Sequence, residues 1–173
     1  MTRHGAAGGA PVSGDLPVLG HVLVGFLLTY LLGFERQLRG SAAGDRTFAL
    51  IGTGSALIAV LAAESSAPNA LAGAITGVGF IGAGLVFRQT LGSHRQIVRG
   101  LTSAAGIFAA AAIGAAAGEG RLALSALGTA LALLALEIRY LPLLSLLDAS
   151  RWADRFRSDD PDPEPVEVTE TRE

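Results

Sequence analysis

Apolar and polar positions alternate along this chain in long blocks, not residue by residue. Leu16–Phe34 is nineteen residues without a charge, about 28 Å as a helix and enough to span a bilayer. Polar Glu35–Arg46 follows, then an apolar block at Thr47–Ala63, a short polar turn at Glu64–Asn69, and a third block at Ala70–Phe87. The basic stretch Arg88–Gly100 precedes a fourth block, Leu101–Gly118. Glu119, Gly120 and Arg121 separate it from a fifth, Leu122–Leu141. The pattern predicts an all-α membrane protein, a bundle of five transmembrane helices over 16–34, 47–63, 70–87, 101–118 and 122–141.

The third block has no charge and carries Gly73, Gly77, Gly79, Gly82 and Gly84. In a soluble helix each glycine costs about 1 kcal/mol against alanine. In hydrocarbon the backbone must satisfy its own hydrogen bonds, so helix is imposed and glycine lets a neighbouring helix approach. Gly73 and Gly77 form a G-x-x-x-G face, and a central, tightly crossed helix is expected here. In the fourth block Gly106, Ala110, Gly114 and Gly118 recur every fourth residue, a second ladder for close packing. Gly77–Gly82 also satisfies G-x-G-x-x-G. That fingerprint needs a strand before it, a helix after it and an acid about 20 positions on, whereas here it lies inside an apolar run with no acid until Glu119.

The ends differ from the middle. Residues 1–15 form a Gly/Ala-rich lead expected to be disordered. Leu143–Phe156 is amphipathic, and residues 142–158 read either as a juxtamembrane segment on the lipid surface or as a fraying end of the fifth helix. Residues 159–173, rich in proline and acid, cannot build a core and read as a disordered tail.

Composition sharpens this picture. The chain is 50 % hydrophobic and 16 % charged, with a mean hydropathy of +0.48, too apolar for a soluble domain, in which about a quarter of residues are charged. Without cysteine there is no disulfide framework or thiolate metal site. Arginine supplies all thirteen basic residues. Arg36, Arg39 and Arg46, then Arg88, Arg95 and Arg99, then Arg139, Arg151, Arg155 and Arg157 fall on one side of a five-span topology, while Arg3 and Arg121 fall on the other. The positive-inside rule then puts the N-terminus outside and the C-terminus in the cytoplasm.

Four strings in order, Gly33–Gln37, Ala43–Thr47, Gly77–Gly84 and Val98–Ala105, resemble the MgtC/SapB family of bacterial inner-membrane proteins over about residues 16–136. The resemblance implies a multi-pass protein of the bacterial inner membrane, linked to low magnesium, acid or host-cell stress. Asp45 departs from the leucine common in the family at that place, and Ser66, Asn69 and Gly73 stand where many members have an Asp and an Arg-x-Ala-x-Gln pattern.

Candidate chemistry concentrates on the arginine-rich side. Glu35 ends the first block, where the helix dipole disfavours an acid. Arg39, four residues on, is one compensating partner if the helix continues, and Arg46 and Arg99 are others. Glu35, Arg36, Arg39, Arg46 and Arg99 thus form a candidate cytoplasmic cluster. It reads either as a site for an anion, phosphate or partner carboxylate or as ion pairs fastening two loops. None of the five blocks has a mid-depth acid or arginine, and His21, near the outer face, is the only titratable candidate for a path through them. No catalytic, metal or cofactor motif is present. The expected partners are the lipid bilayer and other membrane proteins or a second copy, not nucleic acid. The favoured function is a non-enzymatic regulator, with a small ion or solute transporter as the alternative.

Overall fold

The computed structural model describes residues 15–91 and 95–138. The chain divides into two compact units, residues 1–134 and 135–173. The first holds the architecture below, and the second is described only over residues 135–138. The expected lead, the segment 142–158, the acidic tail and the last residues of the fifth block lie outside the described residues.

Five helices follow one another: α1 (Asp15–Leu38), α2 (Asp45–Glu64), α3 (Pro68–Gly84), α4 (Leu101–Gly118) and α5 (Leu122–Glu137). Helices α1, α2 and α4, of 24, 20 and 18 residues, are long and apolar enough to cross a membrane. Helices α3 and α5 are apolar but shorter over their described lengths.

Helix boundaries and hydropathy boundaries do not coincide. Helix α1 continues beyond Phe34 because Glu35, Arg36, Gln37 and Leu38 are good helix formers; it stops at Gly40, which takes φ +65°. Helix α2 starts two residues early, with Gly44 at its N-cap and Asp45 in the first turn, where the dipole favours an acid. Proline 68 opens α3 at a position that needs no amide donor.

The stretch expected to be a basic loop, 88–100, is instead largely an antiparallel hairpin. Strand β1 (Phe87–Leu91) pairs with β2 (Arg95–Arg99) in the register Phe87 to Arg99 and Leu91 to Arg95. The all-helical class of the bundle stands, and only the loop is corrected: β-branched and aromatic residues at 87, 90, 97 and 98 suit strands.

Helices α1, α2 and α4 pack through their smallest residues. Glycine 33 faces Asp45 and Phe48, Gly52 faces Thr29, and Gly25 sits between Ala56 and Ala117, so α1 and α2 run antiparallel. Gly106 faces Phe48, Gly114 faces Gly52, and Gly118 faces Ala56, so α2 and α4 run parallel, with α3 and the hairpin carrying the chain back between them. A Cβ on Gly114 would lie 2.7 Å from Gly52 Cα, and one on Gly118 2.8 Å from Ala56 Cα. Backbones touch here without side chains between them, as bilayer helices pack when burial alone gives no driving force. Leu32, Phe48 and Ile107 fill the space beside the crossings. Ser125 of α5 is buried, and its hydroxyl donates to the Ile113 carbonyl at 2.8 Å.

Outside that interior the large residues point away. Leu23, Leu27, Leu50, Leu57, Phe108 and Leu127 are exposed, whereas alanine, glycine, serine and threonine dominate the inside. A soluble fold inverts this distribution.

Candidate functional site

One end of the three-helix core gathers most of the polar side chains. Here α1 ends and α2 and α4 begin. Because α1 runs on to Leu38, Glu35 and Arg39 share a helix face four residues apart. Arg39 Nε donates to Glu35 Oε1 at 3.3 Å, and Arg36 Nη1 lies 3.8 Å from Glu35 Oε2. The side chains of Glu35 and Arg36 are only 11 % and 14 % exposed, against 33 % for Arg39. Glu35 Oε2 and Arg36 Nε are buried and, among the described residues, make no hydrogen bond. Both polar groups are therefore held at a desolvation cost that only the neighbouring opposite charges offset.

Arg46 lies in the first turn of α2 and is exposed. It lines an open cavity of about 450 Å³ with Gln37, Ala42, Gly44, Asp45 and Thr47. Asp45 Oδ1 accepts from the Arg46 amide at 2.7 Å. The Gln37 amide oxygen occupies the space a side chain at 44 would need. Arg99 ends β2 and is exposed. Among the described residues neither Arg46 nor Arg99 pairs with Glu35. The structure brings together Glu35, Arg36 and Arg39, and leaves Arg46 and Arg99 on the same end as separate charges.

Three contacts at this end had no sequence signal. The hydroxyls of Ser41 and Ser103 lie 2.6 Å apart, tying the α1–α2 loop to the first turn of α4 across 62 residues. The Ser41 amide donates to the Arg36 carbonyl at 3.0 Å, which fixes the loop beneath the buried pair. Gly100, at φ +91°, packs its backbone on the Leu85 carbonyl, anchoring the base of the hairpin.

The ladder residues Gly106, Gly114 and Gly118 lie against α2, as the fold describes. The third-block glycines divide differently. Gly82 is near Ala104, but Gly73, Gly77, Gly79 and Gly84 meet nothing within 4 Å of an added Cβ. The tight crossing expected at α3 belongs instead, within this chain, to α2 and α4. Helix α3 buries Val78 and Gly82, and among the described residues nothing covers its other glycines or Phe80, which is 83 % exposed.

At the opposite end the His21 ring rests on Gly120 in the α4–α5 turn, where φ is +77°. A cavity of about 330 Å³ lies nearby, lined by Ala59, Ala62, Ala63, Ser66, Leu71 and Glu119. Among the described residues no three His, Asp or Glu side chains gather to hold a metal.

Long apolar helices joined through glycine and alanine, with leucine and phenylalanine turned outward, define an α-helical membrane protein. The chain belongs to the MgtC family, whose model matches residues 22–141. It is 35 % identical over 127 residues to Protein MgtC of Brucella abortus (strain 2308), covering 71 % of this chain and 51 % of that protein. It is 40 % identical over 119 residues to the putative magnesium transporter YhiD of Escherichia coli (strain K12), covering 62 % and 53 %. Protein SrpB of Synechococcus elongatus is 40 % identical over 129 residues, covering 67 % and 71 %. The chain thus spans about half the length of the MgtC and YhiD relatives. No solved structure matches it significantly.

Proposed function

We propose that this protein is a five-span inner-membrane regulator, with its N-terminus outside and C-terminus in the cytoplasm, acting on other membrane proteins in low-magnesium, acid or host-cell stress. The carrying observation is the contrast between α3 and the rest. Most glycines of α1, α2 and α4 are packed against a neighbouring helix, Gly20 and Gly54 excepted, while α3 presents Gly73, Gly77, Gly79 and Gly84 with nothing among the described residues against them. Such a face suits a partner helix, because close approach is what glycine provides in a bilayer. A transport path, by contrast, generally retains ionisable groups at membrane depth, where each costs about 2.5–3.5 kcal/mol. In α1, α2 and α4 every acid and arginine lies in a terminal turn. The polar cluster at the α1 end then serves to fasten the helix ends, and Arg46 beside it is presented to anionic groups of a partner.

A magnesium transporter is the second reading, favoured by the description of the YhiD relative. Purified protein in liposomes loaded with a magnesium-sensitive dye separates the two. The regulator reading expects no protein-dependent flux, together with lost complementation of a deletion strain by Gly77→Leu at normal abundance. Protein-dependent magnesium flux overturns it.

A further inference from the structure

The hairpin between α3 and α4 has no place in the helix bundle and none in the function just proposed. Among the described residues its two strands pair only with each other, and nothing described covers either outer edge. A lone two-stranded hairpin is at best marginally stable in water, so a surface is needed to hold it. The register sets Phe87, Gln89, Leu91, Arg95, Ile97 and Arg99 at positions of one face, and Arg88, Thr90, Gln96 and Val98 at positions of the other. The first set combines three large apolar residues with two arginines. Residues 87–100 contain three arginines and no acid. Only Gly100 separates β2 from α4, one of the helices long and apolar enough to span, and Gly100 is packed on the end of α3. That connection keeps the hairpin at the level where α4 enters the membrane.

We propose that the hairpin is an interfacial element whose Phe87/Leu91/Ile97 face lies on the bilayer, with Arg95 and Arg99 bound to anionic phospholipid headgroups. Charge complementarity selects anionic lipid over zwitterionic lipid, and the apolar positions supply the shallow insertion. The proposal rests on family membership and the spanning of α4, not on the regulator reading, so either can fail alone.

The absence of cysteine makes the test clean. The full chain carrying Gln89→Cys, or Thr90→Cys on the opposite face, is labelled with an environment-sensitive fluorophore. Each is reconstituted in nanodiscs of phosphatidylcholine, with or without phosphatidylglycerol. The label at 89 is expected to shift to the blue and to be quenched by nitroxide-bearing lipid in the anionic discs. It should do so more weakly in zwitterionic discs, and the label at 90 should stay aqueous. Replacing Arg95 and Arg99 by Gln should lower the docked-to-free ratio about fivefold per arginine, while Lys at both positions preserves it. Equally aqueous labels on both faces in anionic discs overturn the proposal and leave the hairpin free for a protein. Equal docking in the two lipids overturns its electrostatic part.

Discussion

Placing one methyl group at Gly114 tests the α2–α4 crossing directly. A Cβ there would lie 2.7 Å from Gly52 Cα and 2.8 Å from its carbonyl carbon. Carbon atoms in contact prefer about 3.5–4.0 Å, so the helices must separate by about 1 Å. A gap of that size forfeits about a quarter to a half of the attraction of each atom pair along the crossing. The obstructing atoms are backbone, so no rotamer change relieves the clash. Overpacking costs about 1–3 kcal/mol, and a backbone obstacle puts Gly114→Ala near the upper end, about 3 kcal/mol. That corresponds to a fall in melting temperature of about 6–12 °C for a chain of this size. Gly77→Ala is the control: its methyl meets nothing within 4 Å, so it should melt with the parent or slightly above it. The assay is thermal loss of the monodisperse peak of detergent-purified protein. Gly114→Ala melting with the parent protein would refute the close crossing.

Two further outcomes are expected. In double-mutant cycles of detergent stability, Glu35→Gln and Arg39→Gln should couple by about 0.3–0.5 kcal/mol, as paired charges one turn apart do. Glu35→Gln and Arg46→Gln should add, and coupling between them would mean that the structure separates two charges that meet. A reporter active only in the periplasm should work when fused at Ser66 and fail after Gly92; activity of the Gly92 fusion would reverse the proposed orientation.

The sequence by itself determined where the apolar blocks lie, that the chain is a membrane protein, and which family it belongs to. Those properties are local or additive: hydropathy sums along a segment, and family strings are read in order. Glu35 and Arg39 were also legible as a pair, since only continuation of α1 was needed. What the sequence could not decide was which glycines are used. Gly77 and Gly114 both lie in uncharged apolar runs, and each has another glycine four residues away, at Gly73 and Gly118. Only the tertiary arrangement puts Gly52 against Gly114 and leaves Gly77 open. The same holds for the Ser41–Ser103 contact across 62 residues and for the separation of Arg46 and Arg99 from Glu35. The sequence showed that close approach was possible at each glycine. The path of the chain, with α3 and the hairpin returning it so that α2 and α4 run parallel, selected the ones where it occurs. A glycine carries no side chain to name its partner, so that choice can be made only by the backbones that meet.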